Sequence, residues 1–270
     1  MAYEWIVDAL DETWGALDRL LRDQAPGAFD APTPCPGWSV RDVVSHLGGF
    51  EAMLRGGPVP PHEGPWPSYV VNPIGEINEA FVEANRGRPG VDVLDEFRAA
   101  TAQSLAELRA LDDAAWERVG WSPEGDRPYH RFMETRLLDS WIHLQDVRDA
   151  LALPEDDHGV GEEVVVNRFE SALPYVIGKR VGAPEGTRVR INLTGRLARS
   201  VDIAVVDGRA GAVTASDAPL DLEVTTPIAL FWRLAAGRID ATAFLGSSSV
   251  TVAGDRDLAR QFAESMRVMI

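Results

Sequence analysis

The spacing of apolar residues changes once along this chain, and that change constrains the fold more than any other feature. Up to residue 154, apolar residues recur every three or four positions, which is the pattern of a helix with one buried face. The pattern predicts helices over 4–23, 40–55, 74–86, 92–111 and 130–151, with a long loop containing six prolines over 57–73. Helices of this length without a convincing strand predict a helical bundle.

The second part of the chain has a mixed pattern. After an acidic linker at 154–159 and one more helix over 160–181, apolar and polar residues alternate as they do in strands. Strands are predicted at 188–193, 200–206, 220–224 and 249–253, with helices at 226–235 and from about 255 onward. Asp207-Gly208 is typical of a hairpin turn. The sequence therefore predicts an α+β protein of two domains, residues 1–154 and 155–270.

Composition excludes several classes of partner. The chain has 26 basic and 42 acidic residues, a net charge of −16, which disfavours nucleic-acid partners and gives anionic membranes little to attract. Its single cysteine, Cys35, allows no intrachain disulfide, and we expect it to pack as a small apolar residue. The acidic N-terminal segment does not resemble a signal peptide, and no apolar run is long enough to span a membrane. We therefore expect a cytoplasmic protein that has no membrane or nucleic-acid partner.

Three side chains are candidates for a metal site. Asp139 and His143 lie four positions apart in a predicted helix, so both project from one face. His46 lies among apolar residues of another helix, and two histidines with a carboxylate and an open position describe a catalytic zinc-type site. Spacing alone leaves open a simple Asp–His surface pair and a hydrogen-bonded core histidine. Asp146 is either an exposed partner of His143 or an acceptor that fixes its tautomer.

Three segments of the chain resemble one known family. The stretch Pro34–Leu47, with the sequence PCPGWSVRDVVSHL, resembles the signature of the mycothiol-dependent maleylpyruvate isomerase family. Residues 141–151 are similar to the last bundle helix of that family, and residues 222–255 are similar to its C-terminal domain. The resemblance implies a DinB-like metal-binding four-helix bundle followed by a sterol-carrier-like α+β domain.

The same resemblance implies a set of site residues. It assigns the metal ligands to His46, Asp139 and His143, with Asp139 one methylene shorter than the glutamate usual in the family. The cofactors it implies are mycothiol and a divalent metal; we expect Zn²⁺, although nickel, cobalt and iron also suit two nitrogens and one oxygen. The family uses an arginine from its second domain, and Arg238 is our candidate for a cofactor-binding residue. A solvated surface arginine is the alternative.

The resemblance also implies an activity. It indicates a metal-dependent enzyme that uses mycothiol for a maleylpyruvate-type cis–trans isomerisation or for S-transfer to a small electrophile. A metal-bound thiol is deprotonated, which supplies the nucleophile for either reaction. Two alternatives are a non-catalytic protein that binds a small molecule or lipid in its second domain, and a metal-binding module without activity. A pure carrier has no need for all three candidate ligands.

Overall fold

The computed structural model of the protein describes residues 2–155 and 159–269. They form two compact units, one ending at Glu162 and the other spanning Glu163–Met269. The first unit is helical and the second combines helices with a five-stranded sheet, so the predicted α+β class is confirmed. The predicted domain boundary after residue 154 stays a prediction, and linker residues 156–158 lie outside the described residues.

The first unit is a bundle built around α2. The helices of this unit are α1 (Glu4–Leu21), α2 (Val40–Leu54), α3 (Pro73–Asn85), α4 (Gly90–Arg109), α5 (Asp113–Glu117) and α6 (Tyr129–Ala150). Helix α2 packs against α3, α4 and α6, and α1 packs against α4 and α6. The five helices expected before residue 154 are confirmed. A short hairpin of β1 (Val119–Gly120) and β2 (Arg127–Pro128) was not expected, because each strand has only two residues.

The start of α2 is fixed by two reciprocal hydrogen bonds. The Ser39 hydroxyl accepts from the backbone N–H of Asp42 at 3.3 Å, and the Asp42 carboxylate accepts from the backbone N–H of Ser39 at 2.8 Å. This capping box satisfies two N–H groups that the first helical turn leaves without partners. The register of α2, and with it the direction of His46, is thereby set at the helix start.

Helix α7 (Gly159–Tyr175) contains the boundary between the units at its first turn, and it continues as a π-helical turn over Val176–Val181. The sheet of the second unit has the order β5-β4-β3-β6-β7, in which β3 and β6 are parallel and the other pairs antiparallel. The strands are β3 (Arg188–Thr194), β4 (Arg199–Val206), β5 (Arg209–Val213), β6 (Leu222–Pro227) and β7 (Thr251–Gly254); the helices among and after them are α8 (Ile228–Ala235), α9 (Ala241–Gly246) and α10 (Arg256–Ser265). The predicted hairpin is confirmed, since Asp207 and Gly208 have positive φ angles of 52° and 72°. Helix α9 was not expected.

None of the described helices is both long enough and apolar enough to cross a membrane.

Replacing the serine that caps α2 tests how firmly its start is held. We expect Ser39→Ala to lower the free energy of unfolding by about 1 kcal/mol, because the variant loses the acceptor for the Asp42 N–H. Urea unfolding followed by circular dichroism measures the change. Ser39→Thr, which keeps the hydroxyl, is the control and should lie close to the wild type. Equal stability of the alanine variant and the wild type would show that the cap contributes nothing.

Candidate metal centre

Helices α2 and α6 bring three side chains together inside the first unit. His46 comes from α2, and Asp139 and His143 come from consecutive turns of α6. One ligand atom from each lies within 4.8 Å of the other two. His46 Nε2 is 3.0 Å from Asp139 Oδ2, and His143 Nε2 is 3.6 Å from Asp139 Oδ1. Each histidine therefore presents Nε2 to a different oxygen of one carboxylate.

Burial sets the charge state of this cluster. Only 2% of His46 is exposed, and this burial lowers the pKa of His46 more than the charge of Asp139 raises it, so the ring is neutral at pH 7. Burial alone would raise the pKa of Asp139, but contacts with His46 and Arg136 outweigh it and hold that pKa well below its usual range. A neutral imidazole and an ionised carboxylate are the forms in which these side chains bind metals.

Asp146 orients the ring of His143. Its side chain is fully buried, and its Oδ2 lies 2.9 Å from His143 Nδ1. When Nδ1–H is donated to this carboxylate, the tautomer with one N–H has the lone pair of Nε2 directed toward Asp139. The prediction that Asp146 is an acceptor for the histidine therefore agrees with the geometry, and the exposed alternative is wrong. His46 lacks comparable support, since its Nδ1 has no hydrogen-bond partner among the described residues.

A buried ion pair adjoins the cluster on one side. Arg136 Nη1 donates to Asp139 Oδ2 at 2.7 Å, and Arg136 Nε donates to Glu51 Oε1 at 3.1 Å. The guanidinium also lies over the Phe50 ring, 4.3 Å from its centroid. Sequence reasoning missed this pair. The available signals were two charged residues at inward-facing helical positions. Arg136 lies three residues before Asp139 in α6, and Glu51 lies five residues after His46 in α2.

The ring of Trp38 forms an aromatic wall on another side of the cluster. The Trp38 ring centroid lies 5.2 Å from that of His46 and 5.7 Å from that of His143. Its indole N–H donates to Glu79 Oε2 at 2.8 Å, which fixes the orientation of the ring. Glu79, which the sequence analysis did not single out, is fully buried in α3. This hydrogen bond ties the loop before α2 to α3 and holds Trp38 against both histidines.

The Glu79 carboxylate contacts two more donors beside the Trp38 ring. The Tyr69 hydroxyl donates to it at 2.8 Å, and the Arg86 guanidinium pairs with it at 2.7 Å. Gly37 allows this arrangement, because it has a φ of +77° and a Cβ at that position would lie 2.4 Å from the Tyr69 ring. The Pro-Gly-Trp sequence thus has a local physical reason: glycine admits the tyrosine, and tryptophan supplies the indole N–H.

The remaining predicted residues lie elsewhere. Cys35 is half-buried in the loop before Trp38. Arg238 belongs to the second unit, where it lines a cavity of about 470 Å³ together with Arg267 and Asp240. Its Nη1 donates to the carbonyl of Ala236 at 3.0 Å. The role of Arg238 in cofactor binding stays a prediction.

Two buried tryptophans allow a matched test of the wall. We expect Trp38→Phe to lower the free energy of unfolding by more than Trp14→Phe, because the indole N–H of Trp38 meets a carboxylate and that of Trp14 meets the hydroxyl of Ser140. Hydrogen bonds to charged groups contribute about 1.5–3 kcal/mol, against about 0.5–1.5 kcal/mol for neutral ones. Urea unfolding of both variants measures the difference. Equal losses would mean that Glu79 has no special part in holding Trp38.

Comparison with known proteins identifies the first unit. Residues 10–148 match the model of the family described as the mycothiol maleylpyruvate isomerase N-terminal domain. An uncharacterized protein of Mycobacterium tuberculosis is 25% identical over 152 residues, which are 51% of this chain and 52% of that protein. The chain thus spans about half the length of the curated relatives it matches.

Solved structures are similar in fold to this chain over residues of both units. A crystal structure of the mycothiol-dependent maleylpyruvate isomerase matches with a TM-score of 0.58 and 18% identity, covering 94% of this chain and 93% of that one. A histidine-to-alanine mutant of the isomerase matches with a TM-score of 0.59 and 17% identity over the same shares. These matches show that the fold is shared. By the match over residues 10–148, the chain belongs to the family defined by the mycothiol maleylpyruvate isomerase N-terminal domain.

Proposed function

We propose that this protein is a metal-dependent enzyme that uses mycothiol as its thiol cofactor, with His46, Asp139 and His143 as the metal ligands. The observation that carries the proposal is the convergence of two imidazole Nε2 atoms on the two oxygens of one carboxylate. This donor set suits a divalent cation, Zn²⁺ being our expectation, and three protein ligands leave a position open. The reaction is either a maleylpyruvate-type cis–trans isomerisation or S-transfer to a small electrophile.

The residues of this chain have separate tasks in the proposed site. When bound, a divalent metal lowers the pKa of a coordinated thiol, which is the chemistry that both reactions need. Asp146 keeps the Nε2 lone pair of His143 available by accepting from Nδ1. Trp38 covers both imidazole rings and limits the access of water from its side. Asp139, half-buried and ionised, supplies the negative charge that a cation requires.

Two further expectations belong to the proposal. We propose that residues 1–154 form the metal-binding domain and residues 155–270 a sterol-carrier-like domain that contributes Arg238 to cofactor binding. We also propose that the protein acts in the cytoplasm, where its single cysteine would remain reduced.

Metal analysis is the first test of the proposed site. Wild-type protein produced in zinc-supplemented medium is expected to carry one metal ion per chain, measured by plasma mass spectrometry. His46→Ala, His143→Ala and Asp139→Asn should lose most of it, because each removes one of three ligands. His62→Ala is the matched control and should keep the metal, since His62 contacts Glu83 and Trp66 instead of the cluster. Metal-free wild-type protein would overturn the proposal.

Thermal shift tests the cofactor. Mycothiol at 100 times its Kd is expected to stabilise the metal-loaded protein by about 2.7 kcal/mol, and glutathione at equal concentration should have no effect. Arg238→Met should weaken the effect of mycothiol and leave the metal content unchanged. Incubation with maleylpyruvate, and separately with a thiol-reactive electrophile, then distinguishes isomerase from transferase. A metal-loaded protein that neither responds to mycothiol nor consumes it would favour a metal-binding module without this activity.

A further inference from the structure

We infer that Arg136 is a positioning residue for Asp139, held in place by Glu51, and that this pair sets how strongly the site binds a divalent cation. The inference rests on the proposed function, because it concerns the same cluster. It adds two residues that the sequence analysis did not identify and gives the buried ion pair a task beyond joining two helices.

The contacts of Asp139 show what Arg136 does. Oδ2 of the carboxylate faces both Arg136 Nη1, at 2.7 Å, and His46 Nε2, at 3.0 Å, whereas Oδ1 faces His143 Nε2. The guanidinium hydrogen bond therefore fixes the rotation of the carboxylate about its last bond. In that rotation each oxygen lies on the side of one histidine, so the two nitrogens and the carboxylate converge without further rearrangement.

Glu51 holds the guanidinium from the opposite side. Its Oε1 lies 3.1 Å from both Nε and Nη2 of Arg136, and the Phe50 ring covers the flat face. Both charged side chains are buried, with 1% of Glu51 and 3% of Arg136 exposed. A guanidinium held in this way has little freedom, since its Nε and Nη1 donate to two carboxylates from two helices.

The charges explain why the pair acts together. Arg136 alone would repel a cation from the neighbouring cluster and would cancel the charge of Asp139. With Glu51 included, the formal charge of Arg136, Asp139 and Glu51 together is −1. Glu51 thus allows a buried arginine to orient a metal ligand without abolishing the negative charge that attracts the metal.

Arg55 provides a control for a purely structural role. It directly follows the last residue of α2, one turn after Glu51, and donates to the carbonyl of Ala100 and the hydroxyl of Ser104, at 2.8 and 2.6 Å. These two contacts join helices in the same bundle, as those of Arg136 do. Arg55 also donates to the backbone carbonyl of Glu51 at 2.9 Å, and none of these three hydrogen bonds involves Asp139 or the Glu51 carboxylate. Loss of either arginine should reduce stability, whereas only the loss of Arg136 should change the metal site.

The test measures Zn²⁺ affinity by competition with a chromophoric chelator. We expect Arg136→Met to weaken Zn²⁺ binding about 10- to 100-fold, the usual effect of removing a group that orients a metal ligand. Arg136→Lys, which keeps the charge without the planar fork, should lose less. Arg55→Met should bind Zn²⁺ as the wild type does. The visible absorption of the Co²⁺-loaded protein should change in the Arg136 variants and stay unchanged in Arg55→Met.

A double variant separates positioning from net charge. Glu51→Gln with Arg136→Met keeps the net charge of −1 and removes only the orienting contact, so we expect weakened binding there as well. The double variant also tests the inference if Arg136→Met alone does not fold, because removing both partners of a buried ion pair is better tolerated than removing one. Wild-type affinity in the double variant would overturn the inference and leave the proposed function standing. A wild-type protein that binds no metal would instead overturn the proposed function, and the inference with it.

Discussion

The partial burial of the Asp139 carboxylate, of whose side chain 17% stays exposed, is the constraint on which the rest of the site depends. An ionised carboxylate is costly to remove from water unless charges and hydrogen bonds compensate for the loss. In this bundle the compensation comes from Arg136 and from the two histidines that face its oxygens. Arg136 is itself buried and requires Glu51. One half-buried acidic side chain thus accounts for the compensating charges on the adjacent turns of both α2 and α6.

The buried carboxylate of Glu79 connects further elements of the bundle to the site. Glu79 accepts hydrogen bonds from the loop before α2, through Trp38, and from the long proline-containing loop, through Tyr69. Arg86 supplies the charge that makes burial of Glu79 tolerable, and it also lies 3.7 Å from Asp42, which caps α2. The helix cap, the aromatic wall and the loop are therefore parts of one connected network around His46.

Local patterns predicted much of this architecture, and the failures have a common physical cause. The hairpin at Asp207-Gly208 and the shared face of Asp139 and His143 depend on residues close in sequence, and both are present. The role of Trp38 as a wall depends on Glu79, 41 residues away, and the contact of Arg136 with Glu51 spans 85 residues. The periodicity of apolar residues does not indicate which charged residues of separate helices will contact each other. The resemblance to a family placed His46 together with Asp139 and His143, which spacing alone could not do.

The shorter carboxylate at position 139 and the arginine before it are physically coupled. Aspartate ends closer to its own helix than the glutamate that the family resemblance implies, so its oxygens stay near side chains of the preceding turn. Arg136 lies on that turn and reaches Oδ2 at 2.7 Å. The same hydrogen bond withdraws electron density from the carboxylate, which would make Asp139 a weaker metal ligand and a coordinated cation more electrophilic. Under the proposed function, that electrophilicity would favour deprotonation of a coordinated thiol, and the orientation of Asp139 by Arg136 would compensate for the weaker ligand.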